Sequence, residues 1–464
     1  MANSWPASGQ EQIIPFRFSF ITLRPERFGA LVFNPYLGIE EELDPIEAYI
    51  AALCNDANSC RQIQQAAQER FTLSPSGVQK QIDKTMKKLW RLCAVSLRPG
   101  VSERRTRLPD TTVFPDDGPC LSAPRDVIWD VTHACNLHCP HCLTDSGTRR
   151  QAELDTQQAL SIVDALAEAQ VFSLCFSGGE PLLRPDILTL LRHAGDCGLR
   201  VDIATNGQLL TDSLLCEMRS LPIFHVQVSI DGIAQQHDRF RGRRGAFAAA
   251  CTAIRRLQDE GIATSISTTV TSENVGTLDA IIDFALGMQC QVFKAIPFLP
   301  AGRGKKNAAR LRLTRGGHQQ LSVTLQRRSK ELGGQLIISG DTTFGFLVER
   351  PPVDVCCDGS MGCRAGHDTL SIGPDGMAYP CPFLQDFPLG NLLQRSLKRV
   401  WNEAPILRTL RQLKKQDLGE PCKGCRYAPK VCRGGCRAAA YLEYGDLRAA
   451  DPNCFQPETA CASR

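Results

Sequence analysis

The chain has 464 residues, 43% of them hydrophobic and 22% charged, with a formal net charge of +4. That length exceeds one core, so two or three domains are expected, and so small a charge does not by itself imply nucleic acid. The first residues lack a signal peptide and no stretch is apolar enough to cross a bilayer, so a cytoplasmic chain with no membrane partner is expected, where 22 cysteines mean metal or redox chemistry and not a disulfide frame.

The first hundred residues read as a small separate domain. Phe16, Phe18 and Phe20 alternate with Arg17 and Ser19, and Ala30 to Phe33 is a second apolar run, so two strands are predicted. Three capped helices follow, opened by Asp44-Pro45, by Ser59 with Gln62, and by Ser74-Pro75. The third helix carries Val78, Ile82, Leu89 and Leu92 on one face and Lys80, Lys84, Lys87 and Arg91 on another. This layout resembles the PqqD-like peptide-recognition domains, winged-helix folds in which an extended leader peptide pairs with a sheet edge and lies against the last helix. A solvated basic face and a DNA-binding winged helix are the alternatives; no aromatic or arm-like companions accompany the basic residues, so nucleic acid is not the expected partner. Residues 1–95 are assigned to this domain. From 96 to 124, Arg98, Pro99, Pro109, Pro115 and Pro124 leave no period, and a linker is expected.

From residue 125 to about 310, strand-like and helical runs alternate. The predicted strands are Val127–Val131, Phe172–Phe176, Arg200–Ala204, Phe224–Ile230, Ala263–Val270 and Val292–Ile296. Helical runs lie between, such as Asp155 to Ala169 and Phe247 to Glu260. Such alternation implies an α/β domain of about six parallel strands with right-handed crossovers, and ligands sit at the carboxyl ends of such strands.

The first strand runs into Cys135-Asn-Leu-His-Cys139-Pro-His-Cys142. Three thiolates suit three corners of a 4Fe–4S cube and leave one iron open; a zinc site borrowing His133, His138 or His141, or buried thiols, is the alternative. CxxxCxxC at a strand exit resembles the radical S-adenosylmethionine (SAM) enzymes. The resemblance implies a partial (β/α)6 barrel, with Cys135, Cys139 and Cys142 holding a cluster that chelates the methionine end of SAM. Reductive cleavage of SAM then yields a 5′-deoxyadenosyl radical. Gly178-Gly179-Glu180-Pro181 ends the second strand and resembles the motif that holds the SAM amino group. Thr205-Asn206-Gly207 and Ser229-Ile-Asp231-Gly232 end the third and fourth strands and resemble positions that contact SAM ribose and carboxylate; ordinary strand-to-loop turns are the alternative. Arg241 is a further carboxylate partner, and His141 is read as packing.

Residues 311–345 are expected to bridge to a third domain, 346–464. The preceding basic run from Gly302 is read as solvated surface or as a border of the substrate entrance. Nine cysteines crowd into Cys356 to Cys454. Their order closely resembles the SPASM domain, which binds two auxiliary 4Fe–4S clusters. It implies Cys357, Cys363, Cys381 and Cys436 for one cluster, with Cys356 able to replace Cys357, and Cys422, Cys425, Cys432 and Cys454 for the other. Cys381-Pro-Phe, Gly390-Asn-Leu, Val400-Trp-Asn-Glu-Ala-Pro and Cys432-Arg-Gly-Gly-Cys436 are similar to the mycofactocin and PqqE-type peptide maturases. A radical SAM enzyme with SAM and three clusters, acting on a precursor peptide held by residues 1–95, is therefore expected. A tetrapyrrole-modifying enzyme and an iron–sulfur DNA sensor are the rivals. No GxGxxG loop follows any predicted strand, so an external flavodoxin or ferredoxin is expected, docking at Lys423, Arg426, Lys430, Arg433 and Arg437.

Overall fold

A computed structural model describes residues 13–99, 121–340, 361–425, 427–429 and 432–455. The chain divides into two compact units, with the break between Ser122 and Ala123. Among the described residues no helix is long and apolar enough to cross a membrane.

The first unit contains β1 (Ile13–Arg17), β2 (Thr22–Glu26), β3 (Gly29–Asn34), β4 (Ile39–Leu43), α1 (Pro45–Leu53), α2 (Cys60–Phe71), α3 (Pro75–Arg91) and β5 (Val95–Pro99). The three helices start where the capping residues said: Asp44 and Ser59 form capping boxes with Glu47 and Gln62, and Ser74 accepts from Gly77 N. On α3, Val78, Ile82, Met86 and Leu89 are wholly buried. At about 1.5–3 kcal/mol for each large apolar side chain, that stripe ties the helix to the sheet. The strands differ from expectation. Phe16 to Phe20 is not one strand: β1 ends at Arg17, and Phe18 and Phe20 stack in the turn that follows, 5.3 Å apart. The expected linker from residue 96 begins inside β5, which pairs antiparallel with β1 from Val95↔Arg17 to Pro99↔Ile13. Proline is tolerated at the end of a two-stranded ribbon, where no further strand needs its missing N–H.

The second unit is built on a ten-stranded sheet in the order β12-β11-β10-β9-β8-β7-β6-β13-β14-β15. Its strands and helices run β6 (Asp126–Asp130), α4 (Thr156–Glu168), β7 (Ser173–Ser177), α5 (Ile187–Asp196), β8 (Arg200–Thr205), α6 (Asp212–Met218), β9 (Ile223–Ser229), α7 (Gln235–Arg241), α8 (Ala246–Asp259), β10 (Thr264–Val270), α9 (Leu278–Gly287), β11 (Val292–Pro297), α10 (Ala308–Leu311), α11 (Arg315–Leu332) and β12 (Ile337–Gly340). Then come β13 (Thr369–Ile372), β14 (Met377–Tyr379), β15 (Gly390–Asn391), α12 (Leu397–Glu403), α13 (Pro405–Gln412) and α14 (Arg437–Tyr444). The six predicted barrel strands are present as β6 to β11, and the registers among β8 to β11 and between β6 and β7 are parallel. Two additions went unforeseen. β12, inside the expected bridging region, adds a parallel strand beside β11, and β13 pairs in parallel with β6, so the cysteine-rich block extends the same sheet.

Along β9 and β11 burial alternates. Val226, Val228, Phe293 and Ala295 are fully buried, whereas Gln227, Ser229, Lys294 and Ile296 keep some exposure. Val228 lies on the α8 side, beside the cramped Gly207 that also meets Ala250 and Ala253. The alternate residues therefore line the concave face, away from the helices.

Candidate active site

The cysteine loop leaves β6 and is fastened from several sides. Cys135 N donates to Gly147 O at 2.8 Å, and Gly147 N donates to His133 O at 2.9 Å. Glu153 accepts from His133 N at 2.8 Å, Arg150 N at 3.0 Å and Thr132 Oγ1 at 2.8 Å. Arg303, 8% exposed, donates to Cys139 O at 3.0 Å and to Ser146 O. Asn307 Nδ2 donates to Pro140 O at 3.0 Å. Gly302, at φ +50°, packs so closely that a Cβ would stand 2.3 Å from Leu143 O. Arg303 thus clasps the loop from inside, and the basic run is not solvated at this point. The signal for it was Gly302-Arg303-Gly304 just past the last predicted barrel strand, a backbone-approach pattern hidden within a charge run.

Among the described residues, the one group of His, Cys, Asp or Glu donors lying within 4.8 Å of one another is Asp164, His193 and Cys197, on the outer helices. The three loop sulfurs are not gathered that closely. Tetrahedral zinc with Zn–S of ~2.3 Å would draw them to within ~3.8 Å, so the loop is not drawn in around one zinc ion. Burial pushes the Cys135 thiol up to about 11 and raises Cys139 also, so a thiolate at either needs a cation beside it, which Arg241 supplies in part at Cys139. Burial, together with the charge of Arg241, holds His141 well below the usual imidazole range, and its ring stacks on Phe240 at 4.4 Å. That agrees with packing.

The three strand-end motifs meet beside the loop. A Cβ on Gly178 would stand 2.5 Å from Thr132 O, and one on Gly179 2.2 Å from Ala134 O, so both glycines are required by contact with the loop. Glu180 is wholly buried and accepts from Thr205 Oγ1 at 2.7 Å, Asn206 N at 2.8 Å and Leu182 N at 3.2 Å. Burial lifts its carboxyl to about 7 against these bonds. Pro181 opens the short turn after it. Asn206 Nδ2 donates to Asn136 Oδ1 at 2.7 Å, linking the third strand end to the residue after Cys135. Ser229 ends β9 on the concave face. Asp231, fully buried, accepts from Thr269 N at 2.8 Å and pairs with Arg241 Nη2 at 2.5 Å. Arg241 also donates to Cys139 Sγ at 3.7 Å. The carboxylate that Arg241 meets is thus the chain's own, and the pair carries charge up to the sulfur. Asn136 Nδ2 and Arg241 Nε are buried without a hydrogen-bond partner and face this same cluster of loops.

In the C-terminal block the second expected set gathers in space. Cys422 feels the charges of Cys432 and Cys454, and Cys432 those of Cys454 and Cys425; burial raises Cys422 to about 11. Gly434 N donates to Cys432 Sγ at 3.4 Å. Of the first set, Cys363 and Cys381 are partly buried and Cys436 is buried at the start of α14, with Ala439 N donating to its sulfur. Cys356 and Cys357 lie outside the described residues, as do Arg426 and Lys430. Asp451 accepts from Cys436 N at 2.7 Å and Asn453 N at 2.9 Å, so it braces both sets. Arg437 corrects the docking patch. It is 1% exposed and caps Leu447 O, Ala449 O and Gly434 O, three carbonyls that a loop leaves unpaired. A cavity of about 220 Å³ lies between the cysteine loop and the β13–β14 hairpin, lined among others by Asp130, His133, Glu153, Tyr379 and Gln385.

Residues 129–285 match the radical SAM superfamily model, and residues 363–426 match SPASM, an iron–sulfur cluster-binding domain. The mycofactocin maturase MftC of Mycobacterium ulcerans is 35% identical over 72% of this chain and 89% of its own length. An AdoMet-dependent heme synthase of Methanosarcina barkeri is 31% identical over 72% of this chain and 97% of its own. Streptococcus suis SuiB, solved bound to the precursor peptide SuiA, superposes with a TM-score of 0.70 at 18% identity, covering 96% of this chain and all of that one. Its likeness concerns the fold and spans the N-terminal unit as well. The chain belongs to the radical SAM superfamily, in the branch with a C-terminal SPASM domain, and its cofactors are SAM and 4Fe–4S clusters.

Proposed function

We propose that this chain modifies a ribosomally made precursor peptide, forming a carbon–carbon or carbon–heteroatom link or oxidising a residue. The observation that carries this reading is the first unit. In it β4 pairs with β3 and, among the described residues, with no other strand, and α3 lies beside it with Lys88 Nζ donating to Glu42 O at 2.7 Å. A groove of about 980 Å³ runs along α3, lined by Lys80, Lys84, Lys87, Lys88 and Arg91. Lys84 pairs with Asp44 at 3.0 Å, Lys88 with Glu47 at 2.7 Å, and Arg91 with Glu41, while Lys80 and Lys87 remain for a partner. An outer strand beside a basic helix suits an extended leader. Tethering the leader raises the local concentration of the reacting segment.

In this reading Cys135, Cys139 and Cys142 hold the SAM-binding cluster, and the C-terminal sets hold the auxiliary ones. When bound, SAM and its cluster supply a 5′-deoxyadenosyl radical that abstracts hydrogen. Glu180 fixes Thr205 and Asn206 in place, Gly178 and Gly179 admit the loop, and Arg241 balances Asp231 beside Cys139. Electrons come from an external flavodoxin or ferredoxin at the exposed Lys423 face. The test is incubation of the reconstituted enzyme with SAM, dithionite and the peptide encoded by a precursor-sized reading frame beside the gene. A mass change that needs both the leader and the first unit supports the reading; a change that persists without the leader sinks it. Tetrapyrrole modification is the second reading, favoured by the heme synthase relative, and iron-porphyrin turnover in place of peptide turnover would select it.

A further inference from the structure

The concave wall of the sheet carries a charge with no counter-charge among the described residues. Lys294 sits in the middle of β11, between the fully buried Phe293 and Ala295 that face the helices, so its side chain is on the opposite, concave side. The registers place it directly across from Ser267, which is itself across from Ser229. Lys294 is therefore level with the Ser229 strand end and about two strand spacings, ~10 Å, along the wall.

The acids around that wall are already satisfied. Asp130 bonds to Ser177, Asp202 to His225 Nδ1 at 3.0 Å, Asp231 to Arg241, and Glu180 to Thr205 and Asn206. His225 in turn reaches Ser265 Oγ at 2.6 Å, closing a relay across β8, β9 and β10. Among the described residues, Lys294 takes part in no hydrogen bond or ion pair. Arg241 and Arg303, two buried cations beside the loop, are spent on Asp231 and on loop carbonyls. A partly buried lysine that meets no anion of the described residues leaves its ammonium for an anion that arrives with a ligand.

We infer that Lys294 holds a carboxylate of the substrate, at the level of the strand ends where SAM is proposed to lie. This deepens the proposed function by naming the substrate's chemistry, and a chain terminus or an acidic side chain would serve equally. The same carboxylate chemistry is available on a tetrapyrrole with acidic side chains, so the experiment carries both.

The experiment compares reconstituted, SAM-bound wild type with Lys294→Met, which keeps length and removes charge. Affinity is measured by equilibrium binding for three pairs of probes and for SAM. They are the neighbouring-frame precursor peptide as free acid and as C-terminal amide, and the free-acid peptide against its form with core Asp and Glu changed to amides. The third pair is iron coproporphyrin against its methyl ester. SAM is measured alone, with 5′-deoxyadenosine release in the absence of substrate as a second readout. Wild type is expected to bind one acid about tenfold or more tightly than its blocked partner, the worth of one charge-assisted bond. Lys294→Met should bind both members of that pair alike and weakly, with SAM affinity and 5′-deoxyadenosine release unchanged. Arginine at 294 should restore part of the preference. Equal binding of acid and blocked forms by wild type overturns the inference, as does a preference retained in Lys294→Met. Loss of SAM binding in Lys294→Met also overturns it, by assigning the cation to SAM. Preference for the porphyrin acid alone leaves Lys294 in its role and sinks the peptide reading, so the two failures are told apart.

Discussion

The two cysteine regions hold their thiols by different means. The Cys135–Cys142 loop hangs from the end of a buried parallel strand, and backbone bonds, Glu153 and the Arg303 clasp fasten it. The C-terminal block has strands of two to four residues and helices of seven or eight, and its polar braces are Asp451 and Arg437. The first site is therefore expected to keep its shape without iron, and the second to lean on iron for more of its order. The lesson is that similar ligands need dissimilar scaffolds, according to how much regular structure surrounds them.

Five experiments press on that contrast. The largest effect is expected from replacing Cys135, Cys139 and Cys142 together with Ala. The 5′-deoxyadenosine yield should fall to background, while the melting temperature shifts little, because the loop keeps its backbone bonds. A collapse in melting temperature would show that the loop too depends on metal. Replacing Cys422 and Cys425 with Ser should remove about four irons per chain and make the C-terminal block cleavable by trypsin. Unchanged protease resistance would contradict iron as its organiser.

Arg437→Met should cost about 2–4 kcal/mol in denaturant unfolding, since three carbonyls lose a buried donor at once. Arg303→Met, its counterpart on the loop, should cost about 1–3 kcal/mol and also slow 5′-deoxyadenosine formation. Equal slowing by both variants would erase the distinction between the two regions.

Asp130 offers a pH test. Burial pushes its carboxyl from 3.8 up to about 7, against a bond from Ser177. The folded chain thus binds this proton more tightly than the unfolded chain does. Its stabilising share is complete below pH ~4 and is lost as pH rises through 7. Asp130→Asn should therefore melt progressively higher than the wild type between pH 5 and pH 8; a constant difference over that range would refute the assignment. The smallest effect is expected from Lys423→Glu, about a two- to fivefold slowing with flavodoxin and none with dithionite. Equal slowing with both reductants would make Lys423 structural.

Much of this molecule could be read in one dimension. Capping residues marked α1 to α3, hydrophobic alternation marked β6 to β11, and CxxxCxxC with GGEP marked the strand ends that converge. These are local signals, because caps act within four residues and strand periodicity within seven. The sequence alone determined the superfamily and the order of the cysteines. What tertiary structure decided are the contacts made across long separations. Arg303 meets Cys139 over 164 residues, and Arg241 meets it over 102. β13 joins the sheet beside β6, and Lys294 stands in line with Ser229 and Ser267 with no partner among the described residues. A charge looks the same in a string whether it ends on a carbonyl, on a carboxylate or in an open lumen. Only the register of parallel strands and the burial around each group distinguish these fates, because the desolvation that gives a charge its function exists only once the chain has folded.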